Sequence, residues 1–511
     1  MIKRIGLVGW LFLLVMAFSL VYQLACSPLV GQNDNGDFWR ILESYGLKYP
    51  AGYENDMLTW NRHYDWDGRL LRIKMFPTSE LLPAGISLAA SALISRGSSF
   101  DVVILGIVQS GIYLLGFVFI VLATSHWRVP QRVLFYILLL ALFSDVGYVS
   151  YFNSLYTESA TLIFMTLAIG LLTYMICSPK HDDVTYRRLL IWFFIATLLA
   201  ATAKVGNVPS TILLVGLGFY ISRFTSLASK GSLPKFRRLG MMLSAITVII
   251  LAGFWWSYKF VPGISTNNVY NMTFNEILRH SKNPISDLND LGLDKSYMKY
   301  QGTFAWSPGI DENIRMDILK RVGNKGIIRF YAKHPTRFLD LARRGAKSVF
   351  VMRAPHLGNF ESGTVDTSTV DYAQLGHDIR EQVNRGSGYK YVIPSRFRSQ
   401  TFDLWSNLKD RLAPKNLAFL MVFFVANLVV IVCKRLKFDK TERQRAITAL
   451  HITALFGAAL QFLLVLVGEA ERDIIKHLFL CNLLMDVCFV LLCAYAGYLI
   501  FPDRNTRGKA A

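Results

Sequence analysis

The chain has 511 residues, of which 53% are hydrophobic, and a formal net charge of +20. The apolar residues gather in runs long enough to cross a bilayer, which excludes an ordinary soluble globular enzyme. The basic residues fall mainly in short loops between these runs, without a basic tail or an aromatic-basic stripe. The charge is therefore typical of membrane topology and argues against nucleic-acid binding. We predict an all-α polytopic membrane protein.

The first apolar run, residues 5–26, follows Lys3 and Arg4. It is nearly as long as a whole span, so we interpret it as an uncleaved signal anchor whose N-terminus is cytosolic. A polar, aromatic loop continues to residue 74. The apolar piece that follows, residues 81–94, is short and broken by proline. We predict that it is a half-inserted segment, interfacial or re-entrant, and that it does not cross.

Nine longer apolar runs bring the predicted number of spans to about ten: residues 102–123, 133–150, 159–176, 189–203, 208–221, 243–260, 417–432, 447–467 and 474–500. Lys and Arg mark every second connection, and the positive-inside rule places those connections, with both termini, in the cytosol. The other connections then share the outer face. The predicted organisation is an anchor (1–26), a first outer loop with its juxtamembrane segment (27–100), a transmembrane bundle (101–260), a mixed or helical extracytoplasmic region (261–414), C-terminal transmembrane helices (415–500) and a cytosolic tail (501–511).

Two carboxylates, Asp34 and Asp37, lie just beyond the anchor in the sequence Asn-Asp-Asn-Gly-Asp-Phe-Trp. Partly desolvated carboxylates at a membrane boundary can act as a general base or hold a divalent cation. We predict that one of the two is catalytic, and the sequence leaves open which. The alternative is an Asn/Asp/Gly turn that ends the span and begins a loop.

Glu158 lies at the start of a later span and near Asp145, which is at the end of the span before it. An ionisable group at that depth is a functional candidate. We expect Glu158 to position the acceptor of a transfer reaction, or to share a Mg²⁺ or Mn²⁺ ion with Asp37. Capping of the helix start is the structural alternative, because the helix dipole favours a carboxylate there.

Two further outer connections carry cations and hydrogen-bond donors. Lys204 and Asn207 lie in a tight hairpin, and Arg472, Lys476 and His477 lie around the start of the last span. We predict that these residues bind the phosphate of a lipid-linked donor. A snorkelling lysine in the hairpin and a salt-bridged helix start are the structural alternatives.

This combination of motifs resembles the GT-C superfamily of membrane glycosyltransferases, which take sugars from polyprenyl-phosphate carriers. The first half is similar to the GPI-mannosyltransferase-like branch in the first-loop acids and in residues 66–68, 76–77, 155–159 and 204–207. Three segments resemble bacterial WsfD-like glycan-biosynthesis hexose transferases more closely: residues 35–39, 203–207 and 476–479. The resemblance implies a catalytic Asp in the first outer loop and a lipid-phosphate donor in the membrane plane. The GPI branch has an Arg where this chain has Lys204.

Residues and resemblance together predict a hexosyltransferase on the outer side of a bacterial inner membrane. Its partners would be membrane lipids, a polyprenyl-phosphate sugar donor and a glycan acceptor, with no nucleic acid. No glycine-rich nucleotide-binding loop is visible, which argues against a nucleotide-sugar donor. Two other functions stay open: a polymerase or ligase of lipid-linked saccharides, in which basic residues of 261–414 would carry the activity, and a lipid-glycan flippase, in which charges at mid-membrane are expected.

Overall fold

The protein is an all-α polytopic membrane protein, as predicted. The computed structural model describes residues 5–26, 29–49, 60–69, 77–95, 99–177, 182–224, 233–258, 261, 263–354, 357, 402–437, 441–469 and 474–500. In these ranges nine helices are long and apolar enough to cross a membrane. Their bounds are Gly6–Ala25, Val102–Ala123, Thr157–Cys177, Asp183–Ala203, Val208–Phe224, Leu233–Ser257, Leu417–Lys437, Glu442–Glu469 and Phe479–Ile500.

One further pair of helices passes the test for a span when the two are taken together, and the pair is bent. The helix Val129–Phe143 is followed by the short helix Val146–Val149, and the chain turns by 49° at the break between them. Asp145 occupies the break and its carboxylate accepts a hydrogen bond of 2.7 Å from the Gly147 amide, which caps the second helix. The same carboxylate accepts a hydrogen bond of 2.9 Å from the Ser406 amide. Asp145 therefore has a structural role.

The helix Thr157–Cys177 lies at the centre of the bundle, since 83% of its most apolar 18-residue stretch is buried. It packs closely along Val102–Ala123 through Gly116 and Gly170. A Cβ atom on Gly170 would lie 2.3 Å from the Gly116 carbonyl oxygen. Small residues at such a crossing let two helix backbones approach, which is how spans associate without a hydrophobic driving force. This packing fixes the position of the central helix, and with it the position of Glu158.

The loop between the helices Gly6–Ala25 and Val102–Ala123 forms a small layer over one end of the bundle. It contains the helix Trp39–Tyr45 and a three-stranded antiparallel sheet made of β1 (Leu47–Lys48), β2 (His63–Trp66) and β3 (Ser99–Asp101), in the order β1-β2-β3. The apolar segment predicted not to cross is the helix Leu81–Ser95. At 15 residues it is too short for a span.

The described part of the long region between the helices Leu233–Ser257 and Leu417–Lys437, residues 263–354, is helical. Its helices are Ile264–Tyr270, a π-helix Asn271–Leu278, Pro284–Asp290, a 3₁₀ turn Lys295–Tyr300, Glu312–Arg321, Gly323–Lys333 and Pro335–Ala346, and after a gap Leu404–Leu412 follows. Pro335 begins the last of these helices before the gap and separates it from Gly323–Lys333. The Asn33 amide donates a hydrogen bond of 2.7 Å to the Leu357 carbonyl, so the region joins the first loop at the same end of the bundle.

Candidate functional site

Asp34 shapes the first loop from inside. Its Oδ1 accepts hydrogen bonds from the backbone amides of Gly36 (2.7 Å) and Phe38 (3.1 Å), and its Oδ2 accepts one from the Tyr49 hydroxyl. Gly36 has a φ of 99°, a conformation that glycine adopts without strain. Burial raises the pKa of Asp34, and the three hydrogen bonds oppose that rise only in part. The turn places Asp37 at the entrance of the helix Trp39–Tyr45.

Asp37 forms the first of two ion pairs in the site. Its Oδ2 accepts a hydrogen bond of 2.5 Å from Lys476 Nζ, and its Oδ1 accepts one of 3.0 Å from Arg40. Burial alone would raise the pKa of Asp37, but the charges of Arg40, Lys476 and Lys204 outweigh it and hold that pKa well below its usual range. The Asp37 side chain is still 27% exposed, so a ligand can reach it.

Glu158 and Lys204 form the second ion pair. Lys204 Nζ lies 2.9 Å from Glu158 Oε1 and 2.8 Å from His477 Nδ1. An ammonium group only donates, so Nδ1 is the acceptor and a neutral His477 ring carries its proton on Nε2. Glu158 reaches this place because it lies in the first turn of the central helix, and Lys204 because it directly follows the helix Asp183–Ala203.

The two ion pairs belong to one cluster, since Lys476 and His477 are adjacent in the chain. We call Asp37, Glu158, Lys204, Lys476 and His477 the charged cluster. Lys476 is 1% exposed and its ammonium lies 4.9 Å from the centre of the Tyr156 ring. The Tyr156 hydroxyl donates a 2.7 Å hydrogen bond to the Asn33 carbonyl. Residues from four distant segments thus meet at one end of the bundle.

The structure brings together five of the eight residues selected from the sequence. Asn207 is close in the chain, but its amide hydrogens go to Thr161 Oγ1 (2.8 Å) and to the Ala200 carbonyl (3.0 Å), which ties the hairpin to the central helix. The carboxylate of Asp34 accepts hydrogen bonds from backbone amides of the first loop and so stabilises the turn. Arg472 lies outside the described residues.

A divalent cation does not fit the donor set of the charged cluster. Among the residues that the structure describes, no three His, Cys, Asp or Glu side chains are arranged as metal ligands. Asp37 and Glu158 each bind a lysine, and Arg40 adds a third permanent cation beside them. Mg²⁺ and Mn²⁺ need oxygen ligands whose charge is not already neutralised. The cluster is suited instead to an anionic ligand that several cations hold next to a carboxylate.

Arg40 and Glu80 also lie at the end of the bundle that holds the charged cluster. Neither was predicted from the sequence as a site residue. Arg40 follows Asp37 at helical i,i+3 spacing, which is the standard signal of an ion pair on a helix. Glu80 is an ionisable residue directly before an apolar helix, and it is fully buried. That is the same signal that selected Glu158.

Fold and cluster define a polytopic helical membrane protein with a charged site at one end of its bundle. The chain belongs to the family described as YfdI N-terminal transmembrane domain, whose model matches residues 1–393 and 388–506. No curated protein and no solved structure gave a significant match to it. The finer resemblance to WsfD-like transferases and to GPI-mannosyltransferase-like proteins stays a prediction.

Proposed function

We propose that this protein is a membrane glycosyltransferase that moves a hexose from a polyprenyl-phosphate donor to a cell-surface glycan or a lipid-linked acceptor. The observation that carries the proposal is the charged cluster, in which a reachable carboxylate lies among lysines at the end of a transmembrane bundle. Glycosyl transfer from a lipid phosphate needs both groups in one place. Membership of the YfdI family supports the same class of reaction.

In the proposed reaction Asp37 takes the proton of the acceptor hydroxyl. The hydroxyl oxygen forms a bond to the anomeric carbon of the hexose, and the bond from that carbon to the phosphate oxygen breaks. The electron pair of the broken bond stays on the polyprenyl phosphate, where Lys204, Lys476 and the Nε2–H of His477 balance the added negative charge. We assign the base to Asp37 and not to Asp34, because Asp34 is buried and committed to the loop.

Donor binding would also activate the base. With Lys476 beside it, Asp37 has a lowered pKa and is a weak proton acceptor. A phosphate that draws Lys476 toward itself weakens that ion pair, and the pKa of Asp37 rises toward its ordinary value. Asp37 would then become a better base only when a donor is present, and glycosyl transfer to water would be suppressed in its absence.

The proposed location is the outer side of a bacterial inner membrane. The charged cluster lies at one end of the bundle, and the Lys and Arg-rich ends of Leu417–Lys437 and Leu233–Ser257 lie one helix length from it. The positive-inside rule puts these basic ends in the cytosol and the cluster outside. A polymerase or ligase that depends on basic residues of the outer region fits less well, because Arg343, Arg344 and Arg353 are engaged by acidic partners.

The experiment that tests this function measures transfer of labelled hexose from a polyprenyl-phosphate donor to the glycan acceptors of the same cell envelope, with purified protein in lipid vesicles. Asp37→Asn is expected to lower kcat about a thousandfold, the middle of the range for loss of a general base. The matched control is Asp340→Asn, which removes an exposed carboxylate whose ion pair with Arg343 involves no residue of the cluster. Full activity of Asp37→Asn would remove the proposed base, and transport of the lipid without sugar transfer would favour a flippase.

A further inference from the structure

Glu80 is a buried carboxyl that the proposed reaction does not use. Its Oε1 lies 2.6 Å from Gln109 Nε2 and its Oε2 lies 2.9 Å from Ser159 Oγ, while the Ala160 backbone amide also points to it. No part of its side chain is exposed to solvent. The Glu80 carboxyl therefore contacts the residue that follows Glu158 in the chain.

The surroundings of Glu80 favour its neutral form. Ser159 Oγ lies 2.6 Å from the Tyr156 carbonyl oxygen and 2.9 Å from Glu80 Oε2, and its single hydrogen cannot serve both acceptors fully. In the part of the chain that the structure describes, no ion pair involves Glu80, although its side chain is completely buried. A buried carboxyl without a counter-ion is more stable with its proton, which it can donate to Ser159. Burial raises the pKa of Glu80 well above its usual range, and the charge of Glu158 acts in the same direction.

The segment around Glu80 touches the other elements of the site. Thr78 Oγ1 donates a 2.8 Å hydrogen bond to the Ala203 carbonyl, at the end of the helix that delivers Lys204. Carbonyls in the last turn of a helix lack intrahelical partners, so this bond caps the helix end. The Leu81 carbonyl accepts a 2.6 Å hydrogen bond from the Tyr45 hydroxyl, in the helix that opens beside the first-loop carboxylate. Four consecutive residues thus connect all three catalytic elements.

We propose that Glu80 is a positioning residue, a protonated buried carboxyl that holds the start of the Glu158 helix in register with the end of the Lys204 helix. The protonation is independent of the proposed function, whereas the positioning role rests on it. A protonated carboxyl donates one hydrogen bond and accepts another, and a glutamine amide can do the same. An ionised carboxylate can only accept, so substitution by glutamine separates the two cases.

Three variants test the proposal: Glu80→Gln, Glu80→Ala and the control Ser87→Ala. Ser87 lies in the helix that begins directly after Glu80 and is equally buried, but its hydroxyl donates within that helix, to the Pro83 carbonyl at 2.6 Å. Infrared spectra at about pH 8, where ordinary carboxyl groups are ionised, should show a carboxylic acid band in the wild type. The band should be lost in Glu80→Gln and retained in Ser87→Ala.

The rates of sugar transfer should distinguish a positioning residue from a catalytic acid, which would lose activity in both Glu80 variants. Glu80→Gln should keep kcat/KM within about threefold of the wild type, and Glu80→Ala should lower it about tenfold or more because the helices lose register. The melting temperature of Glu80→Gln relative to the wild type should increase as the pH rises, because folding must keep a proton on Glu80 that the unfolded chain releases. Glu158 and Tyr45 are titratable groups that face Glu80, and both are present in every variant.

Each result decides one part of the proposal. An unchanged infrared band in Glu80→Gln, or a melting-temperature difference that does not depend on pH, would overturn the protonation. Equal losses of transfer in the Gln and Ala variants, or full activity of the Ala variant, would overturn the positioning role. If even the wild type transfers no sugar from polyprenyl-phosphate donors, the proposed function fails, and the infrared and melting measurements still decide the state of Glu80.

Discussion

Two lysine–carboxylate networks of this protein differ in how completely their polar groups are satisfied. In the charged cluster, Lys476 and Asp37 bind each other, and 27% of the Asp37 side chain is exposed. In the second network, Lys409 of the helix Leu404–Leu412 binds Asp486 (2.9 Å) and Asn482 (2.8 Å) of the last span. There the lysine and the aspartate side chains are only 7% and 2% exposed.

Asp486 is fully engaged by its surroundings. Besides Lys409 it accepts hydrogen bonds from the Tyr148 hydroxyl at 2.6 Å and from Trp405 Nε1 at 2.8 Å. A buried ion pair is tolerated when such additional bonds replace lost water. The charged cluster has fewer such bonds on its exposed carboxylate, so its ions can exchange partners. The same kind of ion pair thus holds two elements together where it is sealed and, in the proposed function, binds a ligand where it is open.

The largest effect is expected in the sealed network of Lys409 and Asp486. Lys409→Met should destabilise the protein by about 3 kcal/mol or more, because it leaves the charge of Asp486 buried without its counter-ion. Unfolding in detergent, followed by tryptophan fluorescence, measures this loss. The double variant Lys409→Met/Asp486→Leu should recover much of the stability. A double variant that is no more stable than Lys409→Met would show that the unpaired charge of Asp486 is not the cause of the lost stability.

The corresponding change in the open network should affect binding more than folding. Lys476→Met removes a cation from the proposed phosphate site, and we expect kcat/KM for the polyprenyl-phosphate donor to fall about a hundredfold. Stability should change far less than in Lys409→Met, because Asp37 keeps Arg40 and some contact with water. Titration of the protein with polyprenyl phosphate measures the affinity. An unchanged affinity would contradict the assignment of Lys476.

A smaller effect is expected at Asp34. In Asp34→Asn the amide oxygen can still accept from Gly36 and Phe38, but the amide nitrogen that replaces Oδ2 cannot accept from the Tyr49 hydroxyl, so that bond is lost. We expect a loss of about 1 kcal/mol in stability and at most about a tenfold loss of transfer activity. A thousandfold loss in this variant, with Asp37→Asn active, would exchange the roles of the two acids.

The smallest effect is the contribution of Asp37 to stability. Because its folded-state pKa is lowered, Asp37 stabilises the protein above its ordinary pKa of 3.8, and the contribution disappears as the pH falls through the lowered folded-state value. Partial exposure limits it to about 1 kcal/mol. The difference in melting temperature between the wild type and Asp37→Asn should therefore be constant from about pH 5 to 8 and shrink only in stronger acid. A difference that fades near neutral pH would contradict the lowered pKa.

The convergence of the charged cluster could be predicted because ionisable residues at the ends of apolar runs are rare. Glu158, Lys204 and Lys476 all carry this signal. Glu80 carries it too, but it precedes a segment that does not cross, and its partners Gln109 and Ser159 have no recognisable pattern. Which first-loop acid faces the site depends on the turn, and the sequence could not decide it.

Span positions were predicted better than span limits. The helix Leu233–Ser257 begins ten residues before the predicted start at 243. The helix Glu442–Glu469 likewise begins five residues before the predicted start at 447. Lys and Arg are good helix formers and extend these helices beyond the bilayer, whereas hydropathy detects only the apolar part. The sheet of the first loop was missed because strands of two to four residues show no periodicity.

The bond between Lys476 and Asp37 joins residues 439 positions apart. A ribosome adds roughly 5–20 residues each second, so the first-loop acid is made tens of seconds before its lysine. During synthesis, every fragment that ends between Lys204 and Lys476 carries Asp37 and Lys204 without Lys476 and His477. Under the proposed function such a fragment lacks two of the three groups that would hold the donor phosphate, and the donor site is complete only when the last span has been made.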